Sequence, residues 1–382
     1  MGSYTLQHNS MLRKDHFLIP LAVFLLVNLG LFLFTGVHTG LEADKYVTEG
    51  NYLYDHGTFT APKYIFYLPV ILLVWTCRFL SLPVAWAALV QVALSGVALY
   101  CFYRLAECIR DKRTAVLSAT LLALFVPLQL WNLFLYTDSI FISLTIIYTW
   151  LIYSQGKKGL RGTLIILGFL FLLIFSRPHG LLIIPPTLVY LIFRKQTKQQ
   201  RAISALLCVA LLGGMYFFLN AAFSGGGDMD AMKPFIEEHI ICFVPMKPEG
   251  AVLDIIHTSN PVNDLLYYVI HNPLHFARLT ALKLFSFFNL TRSYYSMPHN
   301  IVLAAFIIPV YFFFVAGIRR FLSTGRDLVI YVVSLLILYP FGATFQCDDW
   351  HSRFTMVVFP YIILIATMGI LNFFGKSKTL TV

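Results

Sequence analysis

Charge is what this sequence has least of. Asp, Glu, Lys and Arg together supply 12% of its 382 residues, against about 25% in an ordinary soluble domain. A water-facing surface cannot be covered with that supply, which excludes a soluble globular enzyme. Acids are the scarcer sign, 18 against 28 Lys and Arg. Cysteine is sparse too, and its six residues are too scattered to form a metal motif. Cys77, Cys101, Cys108 and Cys208 sit in apolar surroundings and read as small fillers. Cys242 and Cys347 fall in expected outer loops, where an oxidising compartment permits a disulfide. The chain has no inverted repeat, and its apolar runs are nearly free of charge, whereas a secondary transporter places polar groups at the midplane of two similar halves. Room for a Rossmann-like soluble domain is also lacking. Asp228-Met229-Asp230, after Gly225-Gly226-Gly227, therefore reads as a hinge rather than a nucleotide-sugar site. No cleavable signal peptide is evident, and the first apolar run is long enough to stay as an anchor.

What is present is apolar length. Hydrophobic residues make up 58% of the chain, and segments of about 20 such residues, the length that spans a bilayer as a helix, recur along it. The reading is an all-α membrane protein with about ten transmembrane helices, at 17–36, 84–103, 114–131, 139–154, 162–176, 178–193, 202–222, 299–318, 327–344 and 355–374. The net charge of +10 would suggest nucleic acid in a soluble protein, but its placement points to a membrane instead. Eighteen of the 28 Lys and Arg fall on one side, in clusters such as Arg110-Asp111-Lys112-Arg113, Lys157-Lys158 and Arg319-Arg320, with only Asp15, Glu107, Asp111 and Asp327 as acids. The positive-inside rule puts that side, with both termini, in the cytoplasm. If 65–82 crossed as well, the Arg104 to Arg113 cluster would move outside. That stretch is therefore expected to lie at the outer membrane surface, with Arg78 and several aromatics at the interface.

Polar chemistry collects in the outer loops. The first loop carries Glu42, Asp44, Lys45, Glu49, Asp55, His56 and Lys63; Ala43, Tyr46, Val47, Gly50, Leu53 and Tyr54 follow helical spacing up to Gly57, leaving Glu42, Lys45 and Glu49 on another face. Asp138 stands at the start of an apolar helix, either as an N-cap or as a site carboxylate. Arg177, in Ser176-Arg177-Pro178-His179-Gly180, runs against the charge bias of its face. Its planar fork suits a phosphate, and snorkelling to lipid headgroups is the alternative. The loop Gln346-Cys347-Asp348-Asp349-Trp350-His351-Ser352-Arg353 is a dense polar site or a plain connecting loop. Asp348, Asp349 and His351 are candidates for a divalent metal ion, at a spacing that matches no strong motif. The stretch 262–288 is amphipathic, and its His271, His275, Arg278 and Lys283 are expected to form a basic face toward lipid phosphates.

The order of these pieces resembles the GT-C superfamily of polyprenyl-phosphate-sugar-dependent glycosyltransferases, the class of protein O-mannosyltransferases and lipid A aminoarabinose transferases. In that superfamily the first outer loop carries a modified Asp-x-Asp, here Glu42-Ala43-Asp44. The run Tyr54-Asp55-His56-Gly57-Thr58-Phe59 and the stretch from Tyr64 resemble the helices that follow it. The resemblance implies an inverting transfer of a sugar from a polyprenyl-phosphate donor to a lipid, glycan or protein acceptor hydroxyl at the outer face of the plasma (inner) membrane. Glu42 or Asp44 would be the catalytic base, since many relatives have Asp where this chain has Glu42. Asp138, Arg177, Arg353, Lys63, Tyr64 and His351 would bind substrate. The whole chain, 1–382, is expected to be one transmembrane domain, with outer loops 37–83 and 224–298 covering the active site and no separate soluble domain. A secondary transporter and a glycan polymerase, ligase or flippase are the alternatives.

Overall fold

The computed structural model describes residues 16–156, 158–194, 198–223, 232–242, 252–347 and 351–375. The expected hinge at Gly225 to Asp230 and the metal candidates Asp348 and Asp349 lie outside the described residues. The described chain is helical, and an isolated parallel bridge joins His38 to Phe134.

All ten apolar runs are helical. Among the described residues five helices are long and apolar enough to cross a membrane: α1 (Leu18–Thr35), α4 (Ala85–Ile109), α8 (Gly159–Ser176), α14 (Met297–Leu322) and α15 (Arg326–Ala343). The run expected at 114–131 is broken into α5 (Lys112–Leu124), α6 (Val126–Gln129) and a 3-10 turn, Leu130–Leu133, bent by 65°. Pro127 has no N–H to give the Ala123 carbonyl one turn back, and its ring crowds that carbonyl, so the ladder cannot pass through. The Leu122 carbonyl near the break is taken up by Gln129 Nε2 at 2.9 Å. The remaining runs form α7 (Thr137–Gln155), α9 (Ile184–Phe193) after a 3-10 turn Pro178–Ile183, α10 (Lys198–Phe223) and α16 (Phe359–Gly375).

Helix α7 is buried along most of its length, and Tyr361 to Met368 of α16 are buried beside it. The two are joined by hydroxyls, with Thr149 Oγ1 and Tyr361 OH 2.5 Å apart, a contact that apolar surroundings favour because neither group has water to bond instead. By contrast α1 and α14 leave most of their apolar side chains exposed, as helices that face lipid do.

The stretch 65–82 forms a 3-10 turn, Pro62–Tyr67, and then α3 (Leu68–Phe79). Twelve residues rise only about 18 Å, short of the roughly 30 Å hydrocarbon core, so α3 is a juxtamembrane helix. It packs against α2 (Glu42–His56), which ends at Gly57 with φ 72°. Gly50 brings the two helices together, since a Cβ there would lie 2.6 Å from Val74. The polar face of α2 is turned inward rather than to solvent. Glu49 is 2% exposed and accepts from the Thr60 N–H at 2.7 Å and the Thr60 hydroxyl at 2.6 Å.

The segment before α14 contains α11 (Lys233–Ile236), α12 (Pro261–His271) and α13 (Pro273–Phe288) around a small core of Met232, Phe235, Tyr268 and Leu279. A Cys242–Cys347 disulfide ties this unit to the loop before α16. The expected basic face is split. His271 and Arg278 are exposed, but Lys283 is 2% exposed and donates to the Thr344 carbonyl at 3.1 Å, while His275 bonds Tyr268 and Glu238. The Thr344 carbonyl stands at the end of α15, where the helix leaves its last carbonyls unsatisfied.

Candidate active site at the loop end of the bundle

The site is assembled by the bridge near its base. His38 N–H donates to the Leu133 carbonyl at 2.9 Å, and Leu135 N–H donates back to the His38 carbonyl at 3.0 Å. This joins the exit of α1 to the entry of α7, so that Glu42 begins its helix beside the start of the other. Glu42 N–H then donates to Tyr136 OH at 3.3 Å, and Gln91 of α4 holds the Tyr136 carbonyl at 2.8 Å. Beneath, a buried network fixes the same junction. Ser139 donates to Asn132 at 2.6 Å, and Asn132 donates to Asn28 at 2.9 Å and Gln129 at 3.1 Å.

On this base four separate loops bring charged groups together. Asp138 is fully buried in the first turn of α7; the cap residue is Tyr136, and the carboxylate goes instead to arginines. Arg177, buried at the end of α8, pairs with Asp138 Oδ1 and lies 5.1 Å from the centre of the Phe354 ring. This is a buried ion pair, not a snorkelling side chain. Arg353 Nη1 donates to Glu42 Oε2 at 2.5 Å and to Asp138 Oδ2 at 3.4 Å. Glu42 Oε1 accepts from Lys45 at 2.8 Å and from Tyr46 OH at 2.9 Å. Three cations thus meet two carboxylates, a surplus of one positive charge. Burial alone would raise the Glu42 carboxyl, but the Arg353 and Lys45 charges outweigh it and hold the group at about 2. Burial and the Glu42 charge push the Tyr46 phenol up.

The other candidates divide. Asp44 follows Glu42 by two residues, about 200° around the helix, and is exposed, outside the cluster. Lys63 is exposed and stands over the Tyr64 ring at 5.7 Å. Tyr64 touches Tyr67, whose ring lies 5.2 Å from Lys45, so Tyr64 borders the site at second hand. His351 lies beside Tyr295 (OH to Nδ1, 3.3 Å) and Trp131, at the mouth next to Arg353. Among the described residues no group of three or more His, Cys, Asp and Glu could hold a metal ion. Sequence reasoning passed over Lys45, Tyr46, Tyr67 and Tyr136 as site residues. Lys45 and Tyr46 had a local signal, lying about one turn after Glu42.

At the opposite end of the bundle the basic clusters pair locally. Arg110 donates to the Met368 carbonyl at 3.1 Å, Arg194 to Thr163 at 2.7 Å and Arg320 to Asn372 at 2.6 Å.

Residues 67–220 match the family model of dolichyl-phosphate-mannose-protein mannosyltransferase. No curated protein sequence matches the chain. Among solved structures, the archaeal oligosaccharyltransferase AglB from Archaeoglobus fulgidus, in complex with an inhibitory peptide and a dolichol-phosphate, is similar at 14% identity with a TM-score of 0.53. The match covers 95% of this chain and 51% of that one, so the chain spans about half the length of AglB. Over residues 67–220 the chain is thus similar to the mannosyltransferase family, and over most of its length it is similar in fold to that oligosaccharyltransferase.

Proposed function

We propose that the protein is an inverting glycosyltransferase that moves a sugar from a polyprenyl-phosphate donor to an acceptor hydroxyl. The observation that carries this reading is the ionic cluster itself, in which Arg177 and Arg353 face Glu42 and Asp138 with one positive charge in surplus. A glycosyl polyprenyl phosphate is a diester with one negative charge, which that surplus neutralises. Its phosphate lies against the arginine forks, which suit two oxygens at once. The dolichol-phosphate held by AglB and the mannosyltransferase family model support a lipid-linked donor and make mannose the first sugar to test.

In the reaction the acceptor oxygen forms a bond to the anomeric carbon from the face opposite the phosphate. The acceptor's proton passes to the Glu42 carboxylate, and the bond from anomeric carbon to phosphate oxygen breaks with its electron pair going to the phosphate. Polyprenyl phosphate leaves with one more negative charge than the donor carried, and Arg177 and Arg353 stabilise that added charge in place. Glu42 is the base in this reading because Asp44 faces away. In this reading loop 37–83 and the described part of 224–298 form the cover of the site, and the charge bias of the sequence supports an outer-face location at the plasma membrane.

The test incubates the purified protein with polyprenyl-phosphate sugars, mannose first, and follows both thermal stabilisation and sugar transfer. A donor that binds only the folded state raises stability, and transfer should vanish in Glu42→Gln while binding persists. Transfer that survives in Glu42→Gln would remove Glu42 as base; no stabilisation by any donor would remove the transferase reading.

A further inference from the structure

Arg353 serves two carboxylates with one nitrogen. Its Nη1 reaches Glu42 Oε2 at 2.5 Å and Asp138 Oδ2 at 3.4 Å. Arg177, by comparison, is committed to Asp138 and lies over Phe354. Asp138 is closed off behind the two arginines, and Glu42 is the more exposed of the two acids. An anion entering from the mouth therefore competes with Glu42, not with Asp138, for the Arg353 guanidinium.

We propose that Arg353 couples donor binding to release of the base: the donor phosphate takes Arg353 from Glu42, and only then does Glu42 accept the acceptor's proton. The inference rests on the transferase reading above. While Arg353 and Lys45 both hold it, the carboxylate at about 2 is a poor base, because a base works best with a proton affinity near the operating pH. When Arg353 turns to the phosphate, Glu42 loses its nearest cation and gains an anionic neighbour, and both changes raise its proton affinity. Lys45 and Tyr46 still grip Oε1, so the carboxylate keeps its orientation. The charge count balances once the donor is bound, because the diester supplies the one negative charge the cluster lacks. A consequence is an order of events in which the empty site does not activate an acceptor.

The groups facing Glu42 are Lys45 and Tyr46 on its own helix, Tyr67 from the 3-10 turn, Tyr136 and Asp138 at the start of α7, Arg177 and His179 after α8, and Arg353 before α16. Variants at Glu42 and at His179 separate the contributions of these two groups to any proton uptake.

The experiment is calorimetric titration of the full-length protein at pH 5 with a short-chain polyprenyl phosphomannose, in two buffers of different ionisation heat. The probe's diester phosphate stays a monoanion at that pH, so the difference between buffers counts protons taken up by the protein. A Glu42 carboxyl returned to about 4.3 to 5 takes up about 0.2 to 0.5 proton per donor bound. The uptake should persist in His179→Asn and disappear in Glu42→Gln with donor still bound. A difference infrared spectrum of the wild type, in which a protonated-carboxyl band grows on donor binding at pH 5, gives the same answer without a variant. Binding without proton uptake, or uptake that survives in Glu42→Gln, overturns the coupling and leaves the transferase reading standing. No binding overturns both.

Discussion

Replacing Arg177 by Met tests whether the buried pair is the joint that holds the site together. Arg177 is 4% exposed, and its partner Asp138 is fully buried. Removing one member of such a pair leaves an uncompensated charge and costs about 3 to 5 kcal/mol. Arg353, at 3.4 Å from the other carboxylate oxygen, remains as a partial partner and pulls the estimate to the lower end. Loss of the cation over the Phe354 ring adds about 0.5 to 2 kcal/mol. Arg177→Met should therefore lose about 3 to 5 kcal/mol. Reversible unfolding in mixed micelles of increasing SDS, followed by tryptophan fluorescence, reads this directly. Adding Asp138→Asn to the same chain removes the orphaned charge, so the double variant should recover half or more of the loss, because neighbouring substitutions of this kind are not additive. A single variant within about 0.5 kcal/mol of the wild type, the range of ordinary surface changes, refutes the reasoning. So does a double variant less stable than the single one.

Further expectations concern titration and the outer loop. Glu42 has a folded value of about 2 against 4.5 unfolded, so its stabilising effect is full above pH 4.5 and is lost as pH falls toward 2. The stability gap between wild type and Glu42→Gln, at most about 3 kcal/mol at neutral pH, should close across that window in acid unfolding. Lys283 shows the opposite sign: burial lowers it to about 7 from 10.5, so the unfolded chain binds more protons between those values. Wild-type stability should rise between pH 7 and 10 relative to Lys283→Met, by up to about 1.4 kcal/mol per pH unit. A flat difference would mean that the amine keeps its proton. The Cys242–Cys347 disulfide closes a separation of 105 residues, and the Cys242→Ala/Cys347→Ala variant should lose about 2 to 5 kcal/mol and expose the segment around α12 to limited proteolysis.

Much of this site is legible in the sequence because membrane helices leave so few places for charge. Glu42, Asp138, Arg177 and Arg353 stand out against apolar surroundings, and the alternation of basic clusters puts them all at one end of the bundle. What could not be read is which of them touch. Arg353 and Glu42 are 311 residues apart, and neither carries a local mark of the other. The choice between Glu42 and Asp44 was likewise closed to sequence, since both fit the motif and only the packing of α2 decides which one turns inward. The break at Phe125 had a visible cause in Pro127, but the apolar run continued through it and hid the bend. The inward turn of Lys283 ran against its helix's amphipathic pattern. A buried ammonium is acceptable only where carbonyls await it, and the end of α15 supplies one from 61 residues away.

Exposure orders the cluster in a way that suits the chemistry proposed for it. Side-chain exposure runs from 0% at Asp138 through 5% at Arg177, 13% at Arg353 and 26% at Glu42 to 38% at Lys45. The arginines that would meet the leaving phosphate lie deep, where water is scarce and a fixed charge acts most strongly. Glu42 lies at the rim, where in the proposed reaction an acceptor hydroxyl would arrive and the proton would pass on to water. Asp138 is too deep to meet an acceptor. Its carboxylate instead holds the two guanidiniums side by side before any donor is present, so their mutual repulsion is already offset when the phosphate enters. A site in which the base lay deepest would have to expel its proton through the cations, and Asp44, on the far side of α2, would meet neither the phosphate nor the sugar. The gradient therefore supports the proposed roles independently of the motif: deep carboxylate as scaffold, arginines as anion hold, rim carboxylate as base.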